Sequence, residues 1–133
     1  MTAENKRVTI LSGTAWEERI GYARAVRIGN TVEVAGTTAV DEIGQVVGVG
    51  DPAAQTRFIL QKIEKALIAA GATLQDVVRT RLFVTDIAHW QTIGDVHGEF
   101  FRTIKPVATM VEVNALIDPA LMVEIEVTAV VAS

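Results

Sequence analysis

The amino-acid sequence predicts an α+β sandwich, a mixed sheet with its helices segregated to one face. Three observations lead there. Runs of period-two alternation occur in pairs towards both ends of the chain; two amphipathic helical segments lie between those pairs; and one short β-rich run separates the helices. The order is ββ, helix, strand, helix, ββ, with an extra edge strand at "RVTIL", residues 7–11. Two helices cover only one face of such a sheet, so an apolar second face needs cover from another subunit.

Each element has its own signal. "YARAVRIGNTVEVAGT", residues 22–37, reads as a hairpin. Gly29 and Asn30 tolerate the positive φ of a two-residue turn, and Val32 and Val34 alternate with Thr31, Glu33 and Ala35. In "DPAAQTRFILQKIEKALIAAG", residues 51–71, Asp51 suits an N-cap, Pro52 the first helical position and Gly71 the helix end. Ile59, Ile63, Ala66, Leu67 and Ala70 form the buried stripe, with charged and polar residues around the rest. "VVRTRLFV", Val77 to Val84, is a strand by its β-branched and aromatic content. Asp86 caps a second helix expected to run to about Ile104, before Pro106. Two final strands are expected near Val107–Val113 and Leu121–Val131, joined by a turn at Asp118 and Pro119.

The chain has 133 residues, half of them hydrophobic, no cysteine and a formal charge of −4. One domain with an ordinary core fits that length. So apolar a small chain is expected to bury surface against copies of itself. With no cysteine there is no disulfide, thiolate metal site or thiol nucleophile. Residues 1–10 show no leader pattern, and no apolar run approaches the roughly 20 residues of a membrane span. The expectation is a cytoplasmic protein without a membrane partner. Its acidity, with a pI near 5.1, argues against a nucleic-acid partner, which needs a basic surface.

The last strand raises the main chemical question. In "VEIEVTAVV", Val123, Ile125, Val127, Ala129 and Val131 share the core face, leaving Glu124 and Glu126 together on the other. Either that face is wet and the acids are a solvated edge, or one acid lines a partly enclosed cleft. In "HWQTIGDVHGEFFRTI", residues 89–104, an apolar stripe runs through Trp90, Ile93, Phe100, Phe101 and Ile104, with His97 at its centre. His97 is either a satisfied core residue or a ligand contact. Gly94 and Gly98 weaken the helix, and either admit another backbone or leave room beside a pocket. Weaker signals carry less. "GVGDP" resembles a phosphate loop only loosely, because Asp51 sits where an anion would bind. His89 and His97 lack the spacing of a helical zinc pair, so no metal is expected. No serine or threonine shows a nucleophile motif. "WEERIGY", residues 16–22, reads as a surface loop or as the rim of a site.

Taken together, "GY…VRIGNTVEVAGT", "AAGATLQDVVRTRLFVTDI", "GEFF", "KPVATMVEV" and "LMVEIEVTAV" resemble the RidA (YjgF, reactive intermediate deaminase) family, collinearly from about Gly21 to the C-terminus. The resemblance implies a chorismate-mutase-like (ferredoxin-like) α+β fold, a mixed sheet with two helices packed on one face. It also implies a homotrimer, a barrel of sheets with helices outside and three clefts between subunits. Active members hydrolyse enamines and imines derived from amino acids to keto acids and ammonia, without metal or organic cofactor. Carried across, the water-positioning glutamate is Glu124, the cleft tyrosine is Tyr22, and the cleft-lining glycine is Gly36, beside Thr37.

The sequence departs from the family at one telling place. By the resemblance, in "KPVATMVEV" Ala108 replaces the arginine that binds the substrate carboxylate and Met110 takes a position often held by cysteine, serine or threonine, while in the second helix Gly94 replaces a cleft asparagine. A methyl group makes no bidentate contact with a carboxylate. Arg24 and His97 are the candidate replacements. The expected ligand is a small-molecule metabolite, less anionic and more apolar than a 2-iminoacid. Three readings follow: a hydrolase of imines, enamines or related carbonyl-derived metabolites, with Glu124 as general base; a non-catalytic ligand-binding or sensing trimer; and, disfavoured by charge, an endoribonuclease.

Overall fold

The computed structural model describes residues 6–132; residues 1–5, on which half the leader reading rests, lie outside the described residues. Six strands and three α-helices follow in chain order: β1 Val8–Ile10, α1 Ala15–Ile20, β2 Ala25–Ile28, β3 Thr31–Thr37, α2 Pro52–Ala69, β4 Val77–Val84, α3 Trp90–Phe101, β5 Val107–Glu112 and β6 Val123–Val130. The strands form one sheet in the order β1-β2-β3-β6-β4-β5. Only the β4–β5 pair is parallel, as expected for strands joined through a helix. β6 lies between β3 and β4, so the two last strands are not neighbours.

Local chemistry explains the main elements. Gly29 turns the β2–β3 hairpin at φ 60°, whereas Asn30 needs no positive φ. Asp51 accepts a hydrogen bond from the Ala54 amide, Pro52 occupies the first turn of α2, and Gly71 lies just past its end at φ 81°. Ile59, Ile63, Ala66, Leu67 and Ala70 are all buried, joined by Leu60. They meet Ile93 and Phe101 of α3 and the inward side chains of β3, β4 and β6, including Val34, Leu82, Val84, Val123, Ile125 and Val127. Each such large aliphatic or aromatic side chain contributes about 1.5–3 kcal/mol by leaving water.

Three expectations need correcting. "WEERI" is a short helix, α1, rather than a loop. Asp86 caps a 3₁₀ turn, Ile87–His89, and α3 follows it, ending at Phe101 rather than Ile104. Trp90 at the start of α3 is 58% exposed, so the stripe begins at Ile93. Among the described residues no helix is long and apolar enough to cross a membrane.

Gln55 is a polar clamp within this core, fully buried at 0% exposure. Its amide nitrogen donates to Ala120 O at 2.9 Å and Gly48 O at 3.3 Å, while its oxygen accepts from Met122 N at 2.8 Å. Those bonds tie the start of α2 to the chain entering β6, and so help place Glu124. Gln55→Leu keeps the bulk but strands these backbone groups. Its urea midpoint is expected to fall by the equivalent of about 2–4 kcal/mol, with little change in slope.

Candidate functional site

Glu124 is placed by an irregularity in the neighbouring strand. Along β3–β6, Val34 pairs with Val127 and Thr37 with Ile125, so Ala35 and Gly36 together oppose Glu126. This is a β-bulge, a device that re-aims side chains beside functional sites. Gly36 is thereby brought against Glu124: a Cβ at position 36 would collide with Glu124 Oε2. The Arg24 guanidinium reaches the same spot, donating from Nη2 to Gly36 O at 2.7 Å. Its Nε is buried without a hydrogen-bond partner.

Partial burial pushes the Glu124 carboxyl above the ordinary glutamate range, the nearby Arg24 charge pulls it back, and Glu126 adds to the rise. Arg24 donates to Gly36 O, and it acts on the Glu124 carboxyl through its charge. Glu126 differs: it pairs with Arg81 at 3.2 Å, both side chains well exposed. With Glu33, Arg79, Arg81 and Thr128 it lines an open recess of about 370 Å³ on the helix-free face. The pair of acids thus splits into an ion-paired one and a half-buried one.

The remaining expected residues divide. Tyr22 follows α1, whose end is closed by Gly21 at φ 88°; the amides of Gly21 and Tyr22 both donate to Glu17 O, at 2.9 and 3.1 Å. Tyr22 is left partly exposed. Thr37 is 1% exposed and turns its hydroxyl to Ala35 O at 2.8 Å. His97, Ala108 and Met110 come together elsewhere. They line a recess of about 210 Å³ with Leu82, Gly94 and Thr109, between α3 and β5. His97 Nε2 lies 2.8 Å from Thr80 Oγ1, its ring packs against Phe101, and burial holds its pKa below the ordinary imidazole range. His97 is therefore both a hydrogen-bonded core residue and a pocket wall. Gly94 has nothing within 4 Å of where a Cβ would stand, so it leaves room, while Arg102 folds over Gly98.

Within this chain these are two clusters. Glu124, Gly36 and Arg24 meet on the helix-free side of the sheet, whereas Ala108 and Met110 pair with Thr80 and Leu82, on the helix side at its β5 edge. His97, rather than Arg24, lies beside Ala108.

Sequence reasoning missed Glu17. It is 5% exposed, and its carboxylate accepts from Ser12 N at 2.9 Å, Gly13 N at 3.3 Å and the Ser12 hydroxyl. Thr14 and Glu17 have the spacing of a capping box, but the Thr14 side chain makes no cap bond and the Glu17 carboxylate reaches past it to Ser12 and Gly13. Lys62 was missed as well: its ammonium donates to Thr38 O and Val40 O, both at 2.9 Å, and fastens the segment after β3. The "GVGDP" turn holds no free helix end, because the Asp51 side chain takes the Ala54 amide itself at 3.0 Å. Among the described residues no three His, Asp or Glu side chains cluster as a metal set.

A mixed sheet with helices on one face and a lone carboxylate at a bulge defines a small α+β protein of a well-populated kind. The chain belongs to the YjgF/RidA family: the family model described as Endoribonuclease L-PSP matches residues 13–131. It is 37% identical over 129 residues to an uncharacterized protein of Streptomyces coelicolor, covering 97% of this chain and 95% of that one. It is 38% identical over 104 residues to the 3-aminoacrylate deaminase RutC of Acinetobacter baylyi, covering 78% and 82%. Among solved structures, a YjgF/YER057c/UK114 family member from Mycobacterium tuberculosis superposes with a TM-score of 0.86 at 53% identity, covering 95% of this chain and all of that one.

The charge arrangement makes two predictions. Arg24→Met removes the cation that holds the Glu124 pKa down, so a carboxyl carbon NMR titration should show Glu124 titrating higher than in the parent chain. The stability effect of Glu124 has a definite sign. An acid whose folded pKa is raised stabilises the fold at low pH and loses that contribution as pH rises through the folded value. Glu124→Gln is therefore expected to be at least as stable as the parent at pH 7 by urea unfolding.

Proposed function

We propose that this chain forms a homotrimer in which the Glu124 cluster of one protomer faces the α3–β5 recess of the next. The cleft so formed hydrolyses reactive imines, enamines or related carbonyl-derived metabolites. The observation that carries this reading is Glu124 itself, half-buried, raised in pKa and held against a glycine that leaves no room for a side chain. The separation of the two clusters supports assembly, because one protomer presents only half of a cleft. Exposed Ile28, Val107, Val111 and Val130 support it too, since they leave apolar surface uncovered. The relative named as a 3-aminoacrylate deaminase supports the reaction class.

The chemistry asks for one group that moves a proton. Glu124 accepts a proton from water as the water oxygen bonds to the imine carbon and returns it to nitrogen. It then takes the proton of the new hydroxyl and passes it to the same nitrogen, so that the C=O bond forms as the C–N bond breaks, and ammonia and a carbonyl compound leave. A carboxyl whose pKa is raised above the ordinary glutamate range suits both steps better than one at its ordinary value. Tyr22 and the Gly36 strand border the ligand, and no cofactor or metal enters the scheme.

Ala108 favours a second reading, a binding or sensing trimer without turnover, because the family's carboxylate clamp is gone. A ligand that raises the Tm without being consumed would select it. Cleavage of RNA is disfavoured by the formal charge of −4.

Ammonia release from imines generated in situ tests the proposal. Glu124→Gln is expected to lose at least about a hundredfold in kcat/KM while sedimentation still reports a trimer. Gly36→Ala should act similarly, since the obstructed group is the end of a flexible side chain that turns aside rather than unfolding the sheet. Unimpaired turnover in Glu124→Gln, or a monomeric parent protein, would refute the reading. Ala108→Arg is expected to improve kcat/KM for carboxylate-bearing imines by about tenfold or more, the scale of a charged hydrogen bond.

A further inference from the structure

We infer that the recess between α3 and β5 is a specificity pocket for an uncharged, apolar substituent of the ligand, up to about the size of a phenyl ring. The inference rests on the reading above and names the ligand class that the cleft takes.

Size comes first. The recess holds about 210 Å³, and an apolar cavity of about 150 Å³ already accommodates benzene. The space exists because three side chains are small or slender. Gly94 leaves its side of α3 open within 4 Å, Ala108 contributes a single methyl from β5, and Met110 offers a flexible thioether that adapts to a guest.

Chemistry comes second. Leu82, Met110 and Ala108 supply apolar surface, Thr109 adds one uncharged polar residue, and among the described residues no lysine, arginine, aspartate or glutamate lines the recess. Its titratable wall is His97, whose Nε2 is engaged by the buried Thr80 hydroxyl and which burial keeps neutral. Phe101 packs on the same ring and fixes its plane. An anion entering here gives up its hydration without meeting a cation, an unfavourable exchange. An apolar group loses only unfavourable contact with water.

Arg24 does not rescue an anion at this place. Within a protomer it lies on the other side of the sheet, and in the proposed cleft the guanidinium that the adjoining protomer presents is committed to Gly36 O beside Glu124. The ligand class that satisfies both clusters is thus a neutral imine or enamine whose reactive carbon lies at Glu124 and whose hydrocarbon substituent fills the recess of the adjoining protomer.

Methyl NMR tests this with two probes of one shape, benzyl alcohol and benzoate, added to the full chain and to Glu124→Gln. Benzyl alcohol is expected to shift the Ala108 and Met110 methyl signals in both proteins, with benzoate binding at least about tenfold more weakly. Gly94→Leu fills the recess and should abolish the benzyl alcohol shifts. Gly94→Ala should weaken them and keeps the test readable if leucine disturbs the helix. Benzoate binding as well as the alcohol, absence of benzyl alcohol shifts, or shifts that survive both Gly94 substitutions would overturn the pocket. Because the probes are not turned over and the inactive variant is included, those outcomes are separate from a failure of the hydrolase reading, which shows only in ammonia release.

Discussion

The arrangement of this protein turns on an atom that is missing. Position 36 has no Cβ, and Glu124 Oε2 occupies the space where one would be. The bulge at Ala35 and Gly36 makes that approach possible by sliding one extra residue into β3. Through the same glycine the site gains its cation, since Arg24 donates to Gly36 O. One backbone irregularity thus sets the position of the carboxylate, its degree of burial and the charge that restrains its pKa.

Much of the fold was legible because its signals are local. Strand β4 matches its expected limits, Val77 and Val84, since a β-branched run between polar turns has little competing interpretation. The stripe on α2 is buried as its period demands. Helix α1 was less readable because six residues hold barely two turns of period, and Trp16 and Ile20 stay exposed. What fixes it is the Glu17 carboxylate gripping Ser12 and Gly13, a contact to chain outside the helix. Helix α3 was misjudged at its start for a related reason. Asp86 caps an intervening 3₁₀ turn, which the α-helical period of 3.6 does not describe.

The site was legible in its parts and not in its grouping. The alternation of β6 places Glu124 and Glu126 on one face, but it does not say which acid has a partner. That depends on Arg81, opposite Glu126 on β4 through a pairing between strands distant in sequence. Likewise, the helical stripe places His97 inward, yet its partner Thr80 comes from β4, the strand before the helix. Side chains from non-adjacent segments decide whether a titratable group is structural or reactive, and periodicity carries no information about them.

The two cations near the end of β3 show why replacing the family's arginine by Ala108 alters more than one contact. Lys62 is held by Thr38 O and Val40 O, and Arg24 by Gly36 O. Both are spent on backbone carbonyls that shape the strand supporting Glu124. Drawing either away to clamp a ligand carboxylate would loosen the segment that positions Glu124. The cleft proposed above would therefore orient a neutral ligand by shape and keep its fixed charges for Glu124, so that binding and proton transfer would draw on different parts of the chain.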